Sequence, residues 1–298
     1  MKRKALLIGG TGFVGGHLER HLLADYDVTA TGHNADIRDE NQVRHLAARI
    51  MPDVVVNLAS ITTVRESFKH PLETYKIGFW GTLNLLNALK DIGFNGRMLQ
   101  IGSSEVYGFP LPEQLPISET EPLHPMSPYS VSKAATEALC YQWSQTECFE
   151  IVMARPFTHI GPGQSDRFAV SNFAKQIAEI KSGRREPVLY VGDLEATRDY
   201  TDVRDIVGAY DLLLQKGANG GIYNVCSGTE RPTRLLLNRL LDIAGVSAAI
   251  SQDPARTRAS EQRRVCGNNK KLVEATGWRQ SISLDTTLAN ILSYWEKN

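Results

Sequence analysis

The run Gly9-Gly10-Thr11-Gly12-Phe13-Val14-Gly15 constrains this chain more than any other feature. It follows an apolar stretch at residues 4–8 and opens a helix-period pattern over 13–24. Gly9, Gly12 and Gly15 give G-x-x-G-x-x-G. In a strand–turn–helix setting the first glycine permits the tight turn, and the second lets backbone close on a pyrophosphate. The third brings helix and strand together, and the helix N-terminus presents unpaired N–H groups to the anion. Glycines that merely ended a strand would not need these flanks.

The rest of the first half repeats that unit. Residues 4–8, 28–31, 54–57, 98–101 and 151–154 read as strands, and 13–24, 40–50, 72–91 and 130–147 carry apolar residues at helical spacing. Strands alternating with helices imply right-handed crossovers and a doubly wound parallel sheet, an α/β fold of Rossmann type. Leu83, Leu86 and Leu89 fall three apart and read as a packing stripe. After Pro156 the alternation loosens: 168–182, 203–215, 234–244 and 284–296 read as helices, with strands at 188–191 and 222–225. This predicts a nucleotide-binding domain over 1–156, rejoined by 192–225. A smaller C-terminal lobe is expected from 157–191 and 226–298. Prolines at 110, 112, 116, 122, 125 and 128 mark an extended loop before the helix at 130.

Charge narrows the partners. The 298 residues hold 33 basic and 33 acidic side chains, so no broadly basic surface for nucleic acid is expected. The halves differ: residues 1–150 hold 13 basic against 17 acidic side chains, and 151–298 hold 20 against 16. The whole excess of the second half lies within 253–271, where six basic residues face two acidic ones. A short cationic stretch of this kind suits a diphosphate. No run approaches the roughly 18 apolar residues of a membrane span, and the apolar start meets glycines rather than a cleavage site. Cys140, Cys148, Cys226 and Cys266 lack CxxC spacing, which points to free thiols in a reducing cytoplasm.

Two further clusters carry chemistry. Tyr129 and Lys133 stand four apart at the start of a helix, on one face. A nearby ammonium favours a phenolate, so the pair is expected to lower the tyrosine's pKa and make proton exchange feasible near neutrality. The fourth strand ends Gly102-Ser103-Ser104-Glu105, on the rim where doubly wound sheets bind ligands. A hydroxyl there can bond a carbonyl or alcohol; it can also simply cap the strand end. The second strand ends without the carboxylate that would hold an adenosine 2′-hydroxyl, and Arg38 is the nearest cation for a 2′-phosphate. NADP or dual use is therefore favoured over strict NAD use. Asp36-Ile37 is placed to border the adenine, while Asp39 reads equally as a helix N-cap.

Together these residues resemble the extended short-chain dehydrogenase/reductases that act on nucleotide sugars, over nearly the whole chain. A narrower likeness is to the GDP-6-deoxy-4-keto-D-mannose reductases. It rests on Met126-Ser127-Pro128-Tyr129, His159-Ile160-Gly161-Pro162-Gly163-Gln164, the stretch from Val191 to Asp199, Tyr223 to Gly228, and 252–265. The resemblance implies Ser103, Tyr129 and Lys133 as catalytic residues. It implies NADP(H) or NAD(H) contacts from Gly9, Gly12, Phe13, Val14, Gly15, Asp36, Ile37, Leu58, Ala59, Tyr129 and Lys133. A GDP-linked sugar would meet Ser103, Ser104, Glu105, Thr158, Asn172, Arg198, Arg258 and Glu261. Two departures bear on geometry: Thr158 replaces the usual asparagine of Phe-Asn-His, and Gly78 replaces the asparagine common before Gly-Thr in the third helix.

The expected reaction is hydride delivery to C4 of GDP-6-deoxy-4-keto-D-mannose, with Tyr129 giving the proton, forming GDP-D-rhamnose. Glu105 keeps a sugar 4,6-dehydratase or epimerase open as the enzymatic alternative, since dehydration needs a carboxylate there. A cofactor-sensing protein of the same fold is disfavoured by the retained Tyr–Lys pair. No metal site is expected: His17 and His21 lack a third ligand and read as exposed residues of the first helix. His159 reads as either support for the sugar or a structural hydrogen-bond partner. Family dimers pair through the helices matching 72–91 and 130–147, so a homodimer is expected.

Overall fold

The computed structural model describes residues 2–32, 35–253 and 263–298. Strand β1 (Arg3–Ile8) enters the glycine turn, and α1 (Phe13–Leu22), β2 (Tyr26–Ala30), α2 (Glu40–Ile50) and β3 (Val54–Asn57) follow. Short helices α3 (Val64–Lys69) and α4 (Pro71–Tyr75) lead through a π-helical turn, Lys76–Trp80, into α5 (Gly81–Asp91). Then come β4 (Arg97–Ile101), a 3-10 turn (Ser104–Tyr107), α6 (Pro128–Thr146) and β5 (Glu150–Pro156). The later elements begin with β6 (His159–Ile160), α7 (Ala169–Lys181), β7 (Val188–Val191), β8 (Thr197–Asp199) and β9 (Thr201–Asp202). They continue with α8 (Val203–Lys216), β10 (Ile222–Val225), β11 (Glu230–Pro232), α9 (Thr233–Ala244), β12 (Ala249–Gln252), α10 (Lys270–Thr276) and α11 (Leu284–Lys297).

Six strands form one parallel sheet in the order β10-β5-β4-β3-β1-β2. The chain steps outward from β1 to β2 and then restarts on the other side at β3. That reversal opens the crevice in which such sheets bind ligands. Successive side chains alternate between faces: Ala5 and Leu7 join Val54, Val56, Leu99 and Ile101 in one core, while Leu6 and Ile8 join Val55 and Met98 in the other. The first core is closed by α1 and α8, the second by α2, α5 and α6. A third core joins α7, α9 and α11 through Phe173, Ile177, Leu237, Leu240, Leu288 and Ile291, over β7.

Local chemistry sets the helix starts. Asp39 accepts from the N–H groups of Asn41 and Gln42 and begins α2, the capping role foreseen for it. Ser127 and Ser130 cap α6 reciprocally, with Pro128 at its first position.

Two differences from the sequence reading have physical causes. The helix expected over 72–91 is broken by the π turn. There the Gly78 carbonyl accepts from the Thr82 hydroxyl at 2.6 Å and from the Thr136 hydroxyl at 3.2 Å, which loosens the regular ladder. A Cβ at position 78 would lie 2.0 Å from Ser132 Oγ, so glycine here lets the turn lie against α6. The second difference is that the segment 270–278, expected in the C-terminal lobe, packs Leu272 and Trp278 into the first core of the sheet. Trp278 Nε1 donates to the Asp205 carbonyl at 3.0 Å. Trp278→Ala should therefore cost about 3–5 kcal/mol, read as a lower urea midpoint with far-ultraviolet dichroism retained at zero denaturant.

Candidate active site

The glycine turn is built for close backbone approach. Gly9 has φ +74°, and a Cβ on it would meet Ala59 N at 2.8 Å and the Leu58 carbonyl carbon at 3.1 Å. This brings the ends of β1 and β3 together at the reversal of the sheet and places Leu58 and Ala59 beside the turn. A Cβ on Gly15 would fall 2.1 Å from the Gly10 carbonyl oxygen, so α1 begins pressed on the turn. Gly12 is the N-cap of α1 and supplies no side-chain cap, and the first turn holds no acidic residue. The N–H groups of Phe13, Val14 and Gly15 therefore face outward as an anion cradle. These features fit a dinucleotide pyrophosphate.

The Phe13 ring continues the cradle. It stacks on His159 (6.2 Å between centroids, 9° between planes) and meets His17 edge-on at 5.4 Å. His17 is not the exposed residue expected from the helix pattern: it is half-buried, with Nε2 2.9 Å from the Pro162 carbonyl. Burial lowers its pKa, so it donates as a neutral ring. His21 is exposed, but it pairs with Asp211 at 3.1 Å. His159 Nδ1 lies 2.9 Å from the Phe157 carbonyl, and burial lowers its pKa too.

At the adenosine side Arg38 is already engaged. Its Nε and Nη2 donate to the Asp36 carboxylate at 2.6–3.0 Å, and its Nη1 pairs with Glu73 on α4. Asn84 donates to the carbonyls of Ile37 and Arg38, fixing this loop on α5. The nearest cation foreseen for a 2′-phosphate is thus held by two carboxylates.

Ser103, Tyr129 and Lys133 converge at the C-terminal end of β4. Ser103 is 6% exposed and starts the 3-10 turn, its hydroxyl accepting the Glu105 N–H at 3.2 Å. Its hydroxyl is also close enough to the Tyr129 phenol to act on its ionisation. Lys133 Nζ donates to the Ile101 carbonyl at 2.7 Å and lies 5.7 Å from the centroid of the Tyr129 ring. The expected lowering of the tyrosine pKa by the lysine is not what this geometry gives. Burial pushes the Tyr129 phenol up to about 12, the Ser103 hydroxyl opposing and the charge of Glu105 adding to the rise. Burial likewise pushes Lys133 down to about 8. Desolvation sets both shifts, while the ammonium is engaged by the Ile101 carbonyl.

The remaining expected residues sit as follows. Glu105 is exposed on the turn, close enough to Tyr129 for its charge to act there. Ser104 is half-buried beside it. The Thr158 carbonyl accepts the Thr201 N–H at 3.0 Å, which ties the end of β5 to β9. Asn172 lies on α7 and accepts from Gln176 at 2.7 Å. Arg198 lies on β8, opposite Arg231 of β11, and its Nη1 donates to the Thr197 carbonyl at 2.7 Å. Arg258 and Glu261 lie outside the described residues.

Buried polar residues without an obvious motif were missed. Asp199 is fully buried, and its carboxylate accepts from Ser227 N and Oγ, Gly228 N and Gly267 N at 2.6–3.2 Å. Burial raises its pKa against those four bonds. It staples β8, with Arg198, to two neighbouring loops. An aspartate beside an arginine in sequence carries no sign of this; only the distant backbone donors reveal it.

Lys133 makes the site's electrostatics testable. Its pKa is about 8 in the fold against 10.5 for an ordinary lysine, so between these values the unfolded chain binds more protons. Stability attributable to this group therefore rises with pH across that window. Lys133→Met should raise Tm relative to wild type at pH 7, and the gain should shrink towards pH 10. A pH-independent difference by calorimetry would contradict the burial of a charged ammonium.

The family model described as GDP-mannose 4,6 dehydratase matches residues 6–291. GDP-6-deoxy-D-mannose reductase of Pseudomonas aeruginosa is 45% identical over 299 residues, covering 99% of this chain and 98% of the relative. A GDP-mannose 4,6-dehydratase of Vibrio cholerae is 26% identical, covering 98% and 93%. The solved structure of RMD from Pseudomonas aeruginosa complexed with NADPH superposes with a TM-score of 0.92 at 44% identity, covering 99% of both chains. With the Ser103–Tyr129–Lys133 cluster at the strand rim and the glycine cradle beside it, this chain belongs to the GDP-mannose 4,6 dehydratase family.

Proposed function

We propose that the protein is an oxidoreductase that reduces the 4-keto group of GDP-6-deoxy-4-keto-D-mannose, with NADPH or NADH, to GDP-D-rhamnose. The observation that carries this reading is the Ser103–Tyr129 hydroxyl pair at the rim of β4. It occurs in a chain 45% identical over nearly its full length to a GDP-6-deoxy-D-mannose reductase. The identity to a dehydratase is 26%, and reduction needs no second acid–base group beyond Tyr129.

The glycine cradle with Phe13, Val14, Leu58 and Ala59 would hold the cofactor, with Asp36 and Ile37 at its adenine end. When bound, the reduced nicotinamide supplies a hydride equivalent for C4. Ser103 orients and polarises the C4 carbonyl through its hydroxyl. Tyr129 Oη delivers a proton to the oxygen that develops negative charge at C4, so the ketone gains one hydride and one proton. The Tyr129 phenol is protonated at neutral pH, so the proton to be delivered is present on Oη. Lys133, anchored on Ile101, retains N–H donors for the nicotinamide ribose. Thr158, Ser104 and Glu105 would seat the sugar; Asn172, Arg198, Arg258 and Glu261 would hold the nucleotide. The unbridged thiols of Cys140, Cys148, Cys226 and Cys266 support a cytoplasmic setting, and no helix among the described residues is long and apolar enough to cross a membrane.

The dehydratase reading keeps one observation in its favour, the charge of Glu105 beside Tyr129. One assay separates them. Purified protein with GDP-6-deoxy-4-keto-mannose should consume NADPH or NADH and yield GDP-D-rhamnose by NMR, and Tyr129→Phe should lower turnover roughly 10²–10⁴-fold with cofactor binding retained. No reductant consumption, together with a keto sugar formed from GDP-mannose, would replace reductase by dehydratase.

A homodimer through the segments 72–91 and 130–147 completes the reading. Phe68, Leu72 and Trp80 are exposed on adjoining segments that pack beside α6, where Val131 and Tyr141 are exposed as well. Exposed apolar side chains on neighbouring segments suit a second copy of the same segments. Light scattering should give twice 33.0 kDa, and Trp80→Glu should shift the mass to one copy.

A further inference from the structure

Arg155 on β5 has 3% of its side chain exposed, and Glu137 faces it from α6 with 8%. Arg155 Nε donates to Glu137 Oε2 at 2.8 Å, and its Nη2 donates to the other carboxylate oxygen. Its Nη1 donates to the Tyr107 hydroxyl at 2.7 Å, and that hydroxyl donates to Asn224 Oδ1 at 2.7 Å. The guanidinium also lies over the Tyr107 ring, 4.8 Å from its centroid. A buried ion pair is weak evidence for stability, because desolvation offsets much of its attraction and an apolar replacement often serves as well. Its distinctive property is direction: the planar fork admits few arrangements of partners.

Those partners belong to the segments that carry the reacting groups. Glu137 follows Lys133 by four positions and Tyr129 by eight along α6, so the three share a face. Tyr107 ends the turn that Ser103 begins. Asn224 belongs to β10, and its N–H donates at 2.8 Å to Glu119 of the loop that joins the turn to α6. Two other fixings, His124 N–H on the Val106 carbonyl and Glu105 N–H on Ser103 Oγ, stay within turn and loop and do not reach α6.

We propose that Arg155, Glu137 and Tyr107 form a positioning unit that sets Ser103 against Tyr129, with the Tyr107 hydroxyl as the joint between turn and helix. The unit rests on the reading that Ser103 and Tyr129 carry the proton chemistry, and Tyr129→Phe tests that reading separately. Tyr107→Phe removes only the joint, keeping the ring and the Arg155–Glu137 fork. In this variant, amide hydrogen exchange at Glu105, Val106 and Gly108 of the protein without ligand should accelerate. Its kcat should fall about tenfold or more, with the KM for NADPH unchanged. The primary isotope effect from deuterated NADPH should rise as the chemical step becomes limiting. Thr287→Val, which deletes a hydroxyl donating to Asp202 at 2.7 Å, serves as the stability control: lower Tm, wild-type kcat. If Tyr107→Phe does not fold, Arg155→Lys keeps the charge but loses the fork, and the same fall in kcat is expected. Wild-type kcat and isotope effect in the folded variant, whatever its Tm, would overturn the proposal.

Discussion

The nucleotide-binding half depends on one steric constraint, the contact of backbone with backbone around the glycine turn. Gly15 lies where any Cβ would strike the Gly10 carbonyl, and Gly9 lies where any Cβ would strike Ala59. These two approaches fix where α1 starts relative to β1 and β3, and so where its N–H groups point. The cradle also sets the place of Phe13, which stacks on His159 at the start of β6. Through that ring and the His17 bond to Pro162, the phosphate turn is packed directly against the loop that follows the central sheet.

A second constraint is desolvation. The rim of β4 brings a phenol and an ammonium into a space with little water, and each becomes harder to ionise there. An ordinary tyrosine is already a phenol at neutral pH, so the rise does not improve it as a proton donor; what the rise opposes is the phenolate that proton abstraction would need. Glu105 adds to the effect, because its charge makes ionisation of Tyr129 harder still. The carboxylate that keeps dehydration in view thus opposes the phenolate form of Tyr129.

Much of this was legible in the chain. The bounds of α2, β3, β7 and β10 match the sequence reading, because α2 carries apolar residues at helical spacing behind the Asp39 cap and the three strands are short, largely apolar runs. The three residues at the rim of β4 were found because a strand end and a helix start have local signatures. What escaped notice depends on partners far apart in sequence. Tyr107 and Asn224 are 117 positions apart, and Arg155 reads as one polar letter in a buried strand. The π turn was invisible because Gly78 looks like a lost side chain until Ser132 is seen to occupy the space. The ionisation of Tyr129 was misjudged for the same reason: spacing shows that Lys133 shares its face, but not that Ile101 takes the ammonium.

Gly78 and Arg155 then explain each other. A Cβ at 78 would fall 2.0 Å from Ser132 Oγ, so glycine lets the π turn and α6 come close at Ser132, one residue before Lys133. The fork of Arg155 holds α6 inward at Glu137, one turn after Lys133. The lysine therefore sits between a contact that permits close approach and an ion pair that enforces it. With Nζ bonded to Ile101, the helix meets β4 at a depth set on both sides of Lys133. Glycine at position 78 thus helps set the depth of packing beside Tyr129 and Lys133.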